Sequence, residues 1–92
     1  MLPLNIMSKM SIERVIKKCF IVWGKTFDDD IKVVCKWTVN EIEIDDNIVI
    51  IDYDKHKREW YVMYFKGVVV YSCTVDDISG SHSMTTFKRD DI

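Results

Sequence analysis

The sequence predicts an α+β fold made mainly of β-strands, in which one N-terminal amphipathic helix packs on a curved antiparallel meander of four or five strands. Two observations support this. β-Branched residues dominate the 92-residue chain, with 12 Ile and 11 Val, whereas Ala and Gln are absent; this composition favours strands over helices. Outside one N-terminal segment, the apolar residues follow the two-residue period of strands. A chain of this length corresponds to a single compact domain, residues 1–92.

The predicted helix covers residues 11–23. Ser11 can cap its start, and Gly24 suits the left-handed conformation that follows a helix end. The alternative is that residues 20–23 begin a strand. Residues 1–10, before the helix, form a candidate flexible arm. The apolar residues that share one helical face are Ile12, Val15, Ile16, Cys19, Phe20 and Trp23.

Residues 31–39 are predicted to form the first strand, after an acidic turn. Alternate residues are apolar, which indicates one buried face. The pattern shifts by one residue at Asn40 and Glu41, which predicts a β-bulge or a short break before Ile42 and Ile44. The residues expected on the buried side are Ile31, Val33, Cys35, Trp37 and Val39.

Three further strands are predicted after a turn at residues 45–47. Residues 48–53 form an apolar run that we expect to be buried on both faces of the sheet. Residues 59–66 and 68–75 form a hairpin, because Lys66 and Gly67 can make a tight turn. Residues 76–92 are a polar C-terminal tail, with a candidate short strand from Met84 to Phe87.

Charge is segregated along the chain, although the formal net charge is only -2. Residues 25–54 carry a net charge of -6, whereas residues 1–24 and residues 55–66 each carry +3. Aspartate is common in turns because its side chain bonds the local backbone, which is the purely structural explanation. The aspartates that form a candidate partner-binding surface are Asp28, Asp29, Asp30, Asp45, Asp46, Asp52 and Asp54.

These patterns favour a small non-enzymatic module that binds another protein through its acidic loops. Carboxylates would steer the encounter with a basic surface of the partner. One form of this hypothesis is a viral or phage inhibitor of a host factor. The excess of Ile and Lys indicates an A/T-rich genome, which many phages and other viruses have, but so do many cells. An unpaired sheet edge also makes a homodimer a candidate assembly.

The alternative is binding of single-stranded nucleic acid by the hairpin at residues 55–66. Cations can follow phosphates while aromatic rings stack on bases. The negative net charge of the chain argues against this alternative, because phosphate attraction dominates most nucleic-acid binding. The candidate contacts are Lys55, Lys57, Arg58, Tyr61, Phe65 and Lys66.

No catalytic, cofactor-binding or metal site is expected, and no membrane partner. His56 and His82 stand apart from any Cys or His at metal-ligand spacing, and no glycine-rich phosphate loop occurs. The three cysteines are widely spaced and odd in number, which predicts structural thiols in a reducing, cytoplasmic location. No apolar run reaches the roughly 18 residues of a membrane span.

Overall fold

One helix and five strands follow one another in the computed structural model, which describes residues 10–92. A 3-10 helix at Val39–Glu41 precedes the second strand, and another at Arg89–Asp91 follows the last one. This architecture confirms the predicted α+β, mainly β fold. The elements are α1 (Ile12–Trp23), β1 (Lys32–Val34), β2 (Ile48–Asp54), β3 (Glu59–Lys66), β4 (Val69–Asp76) and β5 (His82–Lys88).

The five strands form one open sheet in the order β1-β2-β3-β4-β5. Strands β2 to β5 pair antiparallel with their neighbours, as a meander requires. The first strand differs from the prediction, because β1 pairs with β2 in parallel, with Lys32 opposite Ile48. A parallel neighbour requires a crossover connection. Residues 35–47 provide it by passing over one face of the sheet.

Helix α1 begins and ends at the residues that its capping pattern predicts. The Ser11 hydroxyl accepts a hydrogen bond from the Arg14 N–H, and Gly24 has a φ of 67° in the left-handed region. The helix packs over the centre of the sheet, where Trp23 Nε1 donates to the Ser72 carbonyl at 3.3 Å. Met10 is buried beside the start of the helix. The rest of the candidate flexible arm lies outside the described residues.

The sheet separates two hydrophobic cores because its central strands bury both of their faces. The first core lies under α1, and the second lies under residues 39–44 of the crossover. Because α1 covers one face of β2 and the crossover covers the other, Ile48 to Ile51 form a continuous apolar run and not an alternating one. Sheet residues of the first core are Val49, Ile51, Trp60, Val62, Tyr64, Cys73 and Val75, and those of the second are Ile48, Ile50, Met63, Phe65 and Val70.

Strand β1 is much shorter than the strand predicted for residues 31–39. It ends at Val34, so Cys35 and Trp37, which were expected on a buried side, are exposed. The ring of Trp37 packs on Tyr61 instead, with centroids 5.8 Å apart. The predicted break at residues 40–41 is occupied by the 3-10 helix, after which Ile42 and Ile44 pack on the second core. The apolar residues after Val34 therefore belong to the crossover that covers the second core, and not to a strand of the sheet.

Strand β5 is longer than the short strand predicted from Met84 to Phe87. It pairs with β4 over all seven of its residues, although six are exposed and only Phe87 is half-buried. The sequence of β5 lacks an alternating apolar face, which is the main local signal for a strand. The extended conformation of β5 therefore depends on its backbone hydrogen bonds to β4 and not on a buried apolar face.

Candidate functional site

Parallel pairing of β1 with β2 brings two acidic turns to the same corner of the molecule. Both strands start at this end, where the Lys32 N–H donates to the Asn47 carbonyl at 2.9 Å. The turn before β1 and the turn before β2 are therefore neighbours in space. We call this surface the acidic corner, and its exposed side chains are Asp28, Asp29, Asp30, Asp45 and Asp46.

The environment of Tyr64 shows that the two turns are close together. Its hydroxyl donates to Asn47 Oδ1 at 2.9 Å. Desolvation raises the pKa of Tyr64, and the charges of Asp46 and Asp28 raise it further. Because one phenol senses a carboxylate from each turn, both turns contribute negative potential at this corner.

Two carboxylates of the acidic corner also stabilise the local backbone. Asp28 Oδ1 accepts the Asp30 N–H at 3.0 Å, and Asp46 Oδ1 accepts the Gly67 N–H at 2.6 Å. Within residues 10–92, no hydrogen bond or ion pair involves the carboxylates of Asp29, Asp30 and Asp45. Those three groups are free to contact a partner.

An apolar side chain borders the acidic corner. Phe27 directly precedes Asp28 and is 37% exposed. Its ring packs edge-on against Phe20 of the first core, with centroids 5.1 Å apart. An aromatic ring that the core holds in place, next to exposed charge, combines an anchor with a steering element, as many protein interfaces do.

Asp52 and Asp54 belong to a different part of the molecule. They lie toward the other end of β2, roughly 13 Å and 20 Å along the strand from its start. Asp52 is opposite Tyr61 of β3, and Asp54 Oδ1 accepts the backbone N–H groups of His56 and Lys57 at 2.9 and 3.1 Å. The seven aspartates singled out in the sequence are therefore five at the acidic corner and two near the β2–β3 turn.

The basic candidates for nucleic-acid contact also lie at two ends of one strand. Lys55, Lys57 and Arg58 are exposed in the turn before β3. Lys66 ends that strand, and its Nζ donates to Asn47 Oδ1 at 2.9 Å and lies 3.8 Å from Asp46 Oδ2. The cations of the hairpin therefore do not form one surface.

The aromatic candidates do not form a stacking platform. Phe65 is fully buried in the second core, where it cannot stack on a base. Tyr61 is half-buried against Trp37, and its hydroxyl donates to Glu59 Oε2 at 3.4 Å. Tyr61 and Phe65 therefore do not share an exposed face, because residues 39–44 cover Phe65.

Asp77 is the polar side chain that sequence reasoning missed. It is only 2% exposed, yet its Oδ1 accepts the Met10 N–H and Trp60 Nε1–H at 2.9 Å, while its Oδ2 accepts the Tyr53 hydroxyl at 3.0 Å. Desolvation and this carboxylate together raise the pKa of Tyr53. The sequence offers only an Asp-Asp pair at a turn, so the role of Asp77 becomes visible only in the fold.

Two of the three cysteines face each other between α1 and the sheet. Cys19 and Cys73 are buried in the first core, whereas Cys35 is exposed. A hydrogen bond with Cys73 and burial raise the pKa of the Cys19 thiol, which keeps it protonated. Cys19 and Cys73 therefore pack as small apolar groups.

Comparison with known proteins identified no relative, since no family model, curated protein or solved structure matches the chain. Within residues 10–92, no group of three or more His, Cys, Asp or Glu side chains is placed to hold a metal ion. No helix in the same range is long and apolar enough to cross a membrane. The surfaces described above are the basis for a functional proposal.

We expect acid to destabilise the protein through three turn aspartates. Backbone N–H groups lower the pKa of Asp46, Asp54 and Asp76 below the ordinary value of 3.8. A lowered folded-state pKa stabilises the fold above about pH 4, and this contribution is lost as the pH falls through the lowered values. Thermal melts followed by circular dichroism should therefore show a melting temperature that falls as the pH drops below about 4.

The matched variant replaces all three side chains by asparagine, which keeps the oxygen that accepts the N–H groups. Asp46→Asn/Asp54→Asn/Asp76→Asn should show a shallower fall in melting temperature than the wild type, because these positions no longer titrate. An identical pH dependence in the two proteins would contradict the assignment.

Proposed function

We propose that this protein is a small non-enzymatic module that binds another protein, and that the acidic corner contacts a basic surface of that partner. A virus or phage that blocks a host factor would use a module of this kind. The observation that supports the proposal is the convergence of Asp29, Asp30 and Asp45 from two turns, all exposed and without a polar partner within residues 10–92. Neighbouring carboxylates repel one another, so a cationic surface that approaches them lowers the electrostatic free energy.

Phe27 supplies the apolar part of the proposed contact. Charge complementarity mainly increases the association rate and the specificity, whereas buried aromatic rings supply most of the affinity. Because Phe27 is already packed on Phe20, it loses little conformational freedom when a partner covers it. We therefore expect the partner to place an apolar pocket next to its basic residues.

The test compares two variants that remove the same number of negative charges. The corner variant is Asp29→Asn/Asp30→Asn/Asp45→Asn, and the control is Glu13→Gln/Asp52→Asn/Glu59→Gln, whose positions lie on α1 and toward the other end of the sheet. Immobilised wild-type protein is used to isolate a partner from cell lysate, and the purified partner is then titrated against all three proteins. The corner variant should bind at least about tenfold more weakly, which corresponds to about 1.4 kcal/mol, while the control should bind like the wild type.

Salt and nuclease treatment complete the design. The affinity of the wild type should fall as ionic strength rises, and it should fall less in the corner variant, which has lost the relevant charges. Equal weakening in both triple variants would show a general charge effect and would overturn the proposal. Loss of the retained material after nuclease treatment would instead support nucleic-acid binding through residues 55–66.

A further inference from the structure

Strand β5 has an open outer edge within residues 10–92, because the order of the sheet ends with it. The Asp76 N–H donates to the Ser81 carbonyl, and the Arg89 N–H donates to the Val68 carbonyl. Ser81 and Arg89 flank β5, and both bond with residues at or next to the ends of β4. Because hydrogen-bonded and non-hydrogen-bonded positions alternate in an antiparallel ladder, the odd-numbered residues of β5 are the ones that exchange hydrogen bonds with β4. The residues whose N–H and C=O groups point away from the sheet are therefore His82, Met84, Thr86 and Lys88.

The two edges of the sheet differ in how they are protected. Strand β1 has only three residues, which makes it a short and poor template. Strand β5 has seven residues in unbroken register with β4, and its sequence HSMTTFK contains no proline and no acidic residue. Proteins usually protect a long regular edge by shortening it, bulging it, or placing proline or charged residues in it. Of these features β5 has only Lys88, at its last position, so most of its length is suited to receive an added strand.

Helix α1 packs over β3 and β4 and runs in the same direction as β5. Near its middle, Lys18 Nζ donates to the carbonyl of Gly80, just before β5 begins. Past its end, Lys25 Nζ lies 4.8 Å from the ring centroid of Tyr71, which is opposite Thr86 in the sheet. The helix does not cover β5 itself, because Met84, on the helix side of the sheet, is 55% exposed. An open surface therefore runs along β5, bounded by Lys18 and Lys25 on one side and by Met84 and Thr86 on the other. We call this surface the ledge.

Cations line this ledge. Lys18 reaches it from α1 and Lys25 from just past the end of the helix, while Lys88 lies on β5 itself, and no residue of β5 is acidic. Arg14 is one helical turn before Lys18 and therefore lies on the same side of α1. The one acidic residue of the helix, Glu13, is paired with Lys17 at 2.7 Å. Acidic residues adjoin both ends of β5, with Asp76 before it and Asp90 and Asp91 after it, so it is the middle of the ledge, beside α1, that favours negative charge.

We propose that β5 receives an extended acidic segment of another protein as a sixth strand. Its backbone would pair with the outward groups of Met84 and Thr86 and their two neighbours, and its carboxylates would face the cations of the ledge. A second copy of β5 fits this position less well, since it contains no acidic residue and so brings no negative charge to the cations of the ledge. The ledge adjoins the acidic corner at its Lys88 end, because Arg89 bonds the carbonyls of Ile44 and Gly67. Its hydrogen-bonding groups lie on β5, however, whereas the free carboxylates of the corner lie in the turns before β1 and β2, so Thr86→Pro and the corner variant test the two proposals separately.

The test uses two labelled peptides as long as β5, one alternating glutamate with valine and the other alternating lysine with valine. Fluorescence anisotropy should show that the glutamate peptide binds at least about tenfold more tightly, and that its affinity falls with salt. Thr86→Pro removes an outward N–H without removing any bond to β4, and proline is tolerated at such edge positions. This variant should lose binding, whereas Thr86→Val should keep it.

A charge-reversal variant tests the ledge without altering the backbone. Lys25→Glu/Lys88→Glu lowers the summed charge of Arg14, Lys18, Lys25 and Lys88 from +4 to zero and should therefore abolish the preference for the glutamate peptide. Four results with the wild type would overturn the proposal: no binding of the glutamate peptide, equal binding of both peptides, binding that Thr86→Pro leaves unchanged, or self-association in sedimentation that Thr86→Pro abolishes. Slow hydrogen exchange at the Met84 and Thr86 amides of the unbound monomer would also overturn it, because the edge would then be covered. An oligonucleotide that competes with the peptide and binds Thr86→Pro equally well would assign the ledge to nucleic acid instead.

Discussion

Asp77→Ala is expected to lower the free energy of unfolding by about 3–5 kcal/mol, because it leaves buried donors without an acceptor. The carboxylate accepts hydrogen bonds from Met10, Trp60 and Tyr53, and the Trp60 side chain has no access to solvent. Hydrogen bonds to a charged acceptor are each worth more than neutral ones, and a buried unpaired donor carries its full desolvation cost. Through Asp77, the start of α1 is connected to β2 and β3.

Urea denaturation at low temperature, followed by tryptophan fluorescence, measures this effect. Tyr53→Phe removes a single donor to Asp77 from a partly exposed position and should cost only about 1 kcal/mol. Asp77→Asn keeps an acceptor for Trp60 and should fall between the two variants. A loss for Asp77→Ala no larger than that for Tyr53→Phe would show that the buried carboxylate does not organise this end of the fold.

Phe65→Ala is expected to cost about 3–5 kcal/mol and to leave any residual nucleic-acid binding unchanged. Phe65 is fully buried in the second core, beside Val70 and Ile48, and the Arg89 guanidinium lies 5.8 Å from its ring centroid. Truncation to alanine removes most of the apolar area of the ring and opens a cavity that the crossover residues cannot fill without moving. The second core would lose its largest side chain.

Two further substitutions make the Phe65 experiment specific. Phe65→Leu keeps most of the volume and should cost less than about 2 kcal/mol. Tyr61→Ala, at a half-buried position on the same strand, should cost less than Phe65→Ala. If Phe65→Ala were nearly neutral for stability but weakened oligonucleotide binding, the ring would be a stacking residue and the hairpin would be the functional site.

The helix and the central strands could be predicted because their signals are local. In α1, the apolar stripe, the Ser11 cap and Gly24 all indicate the same boundaries, and the structure has them. Strands β2, β3 and β4 contain apolar and β-branched residues that suit a buried sheet whichever neighbour they pair with. The Lys66–Gly67 turn likewise depends on a backbone conformation that glycine adopts without strain.

The parallel direction of β1, the full length of β5 and the role of Asp77 could not be predicted in the same way, because each depends on residues that are distant in sequence. Parallel or antiparallel pairing of β1 leaves its own side-chain pattern unchanged, so local periodicity carries no information about direction. Strand β5 exists through its backbone bonds to β4, which any sequence free of proline at the inward positions can make. Asp77 resembles an ordinary turn residue until Trp60 and Tyr53 are placed around it.

The same division applies to the surfaces that could bind a partner. The sequence by itself determined the elements that form the core and the segments that carry the charge, because hydrophobic period and composition act over short distances along the chain. Only the tertiary structure decided which charges act together: it joined five aspartates at the acidic corner, separated Asp52 and Asp54 from them, and left the edge of β5 open. The physical reason is that electrostatic and hydrogen-bonding surfaces depend on distances in space, which strand pairing establishes.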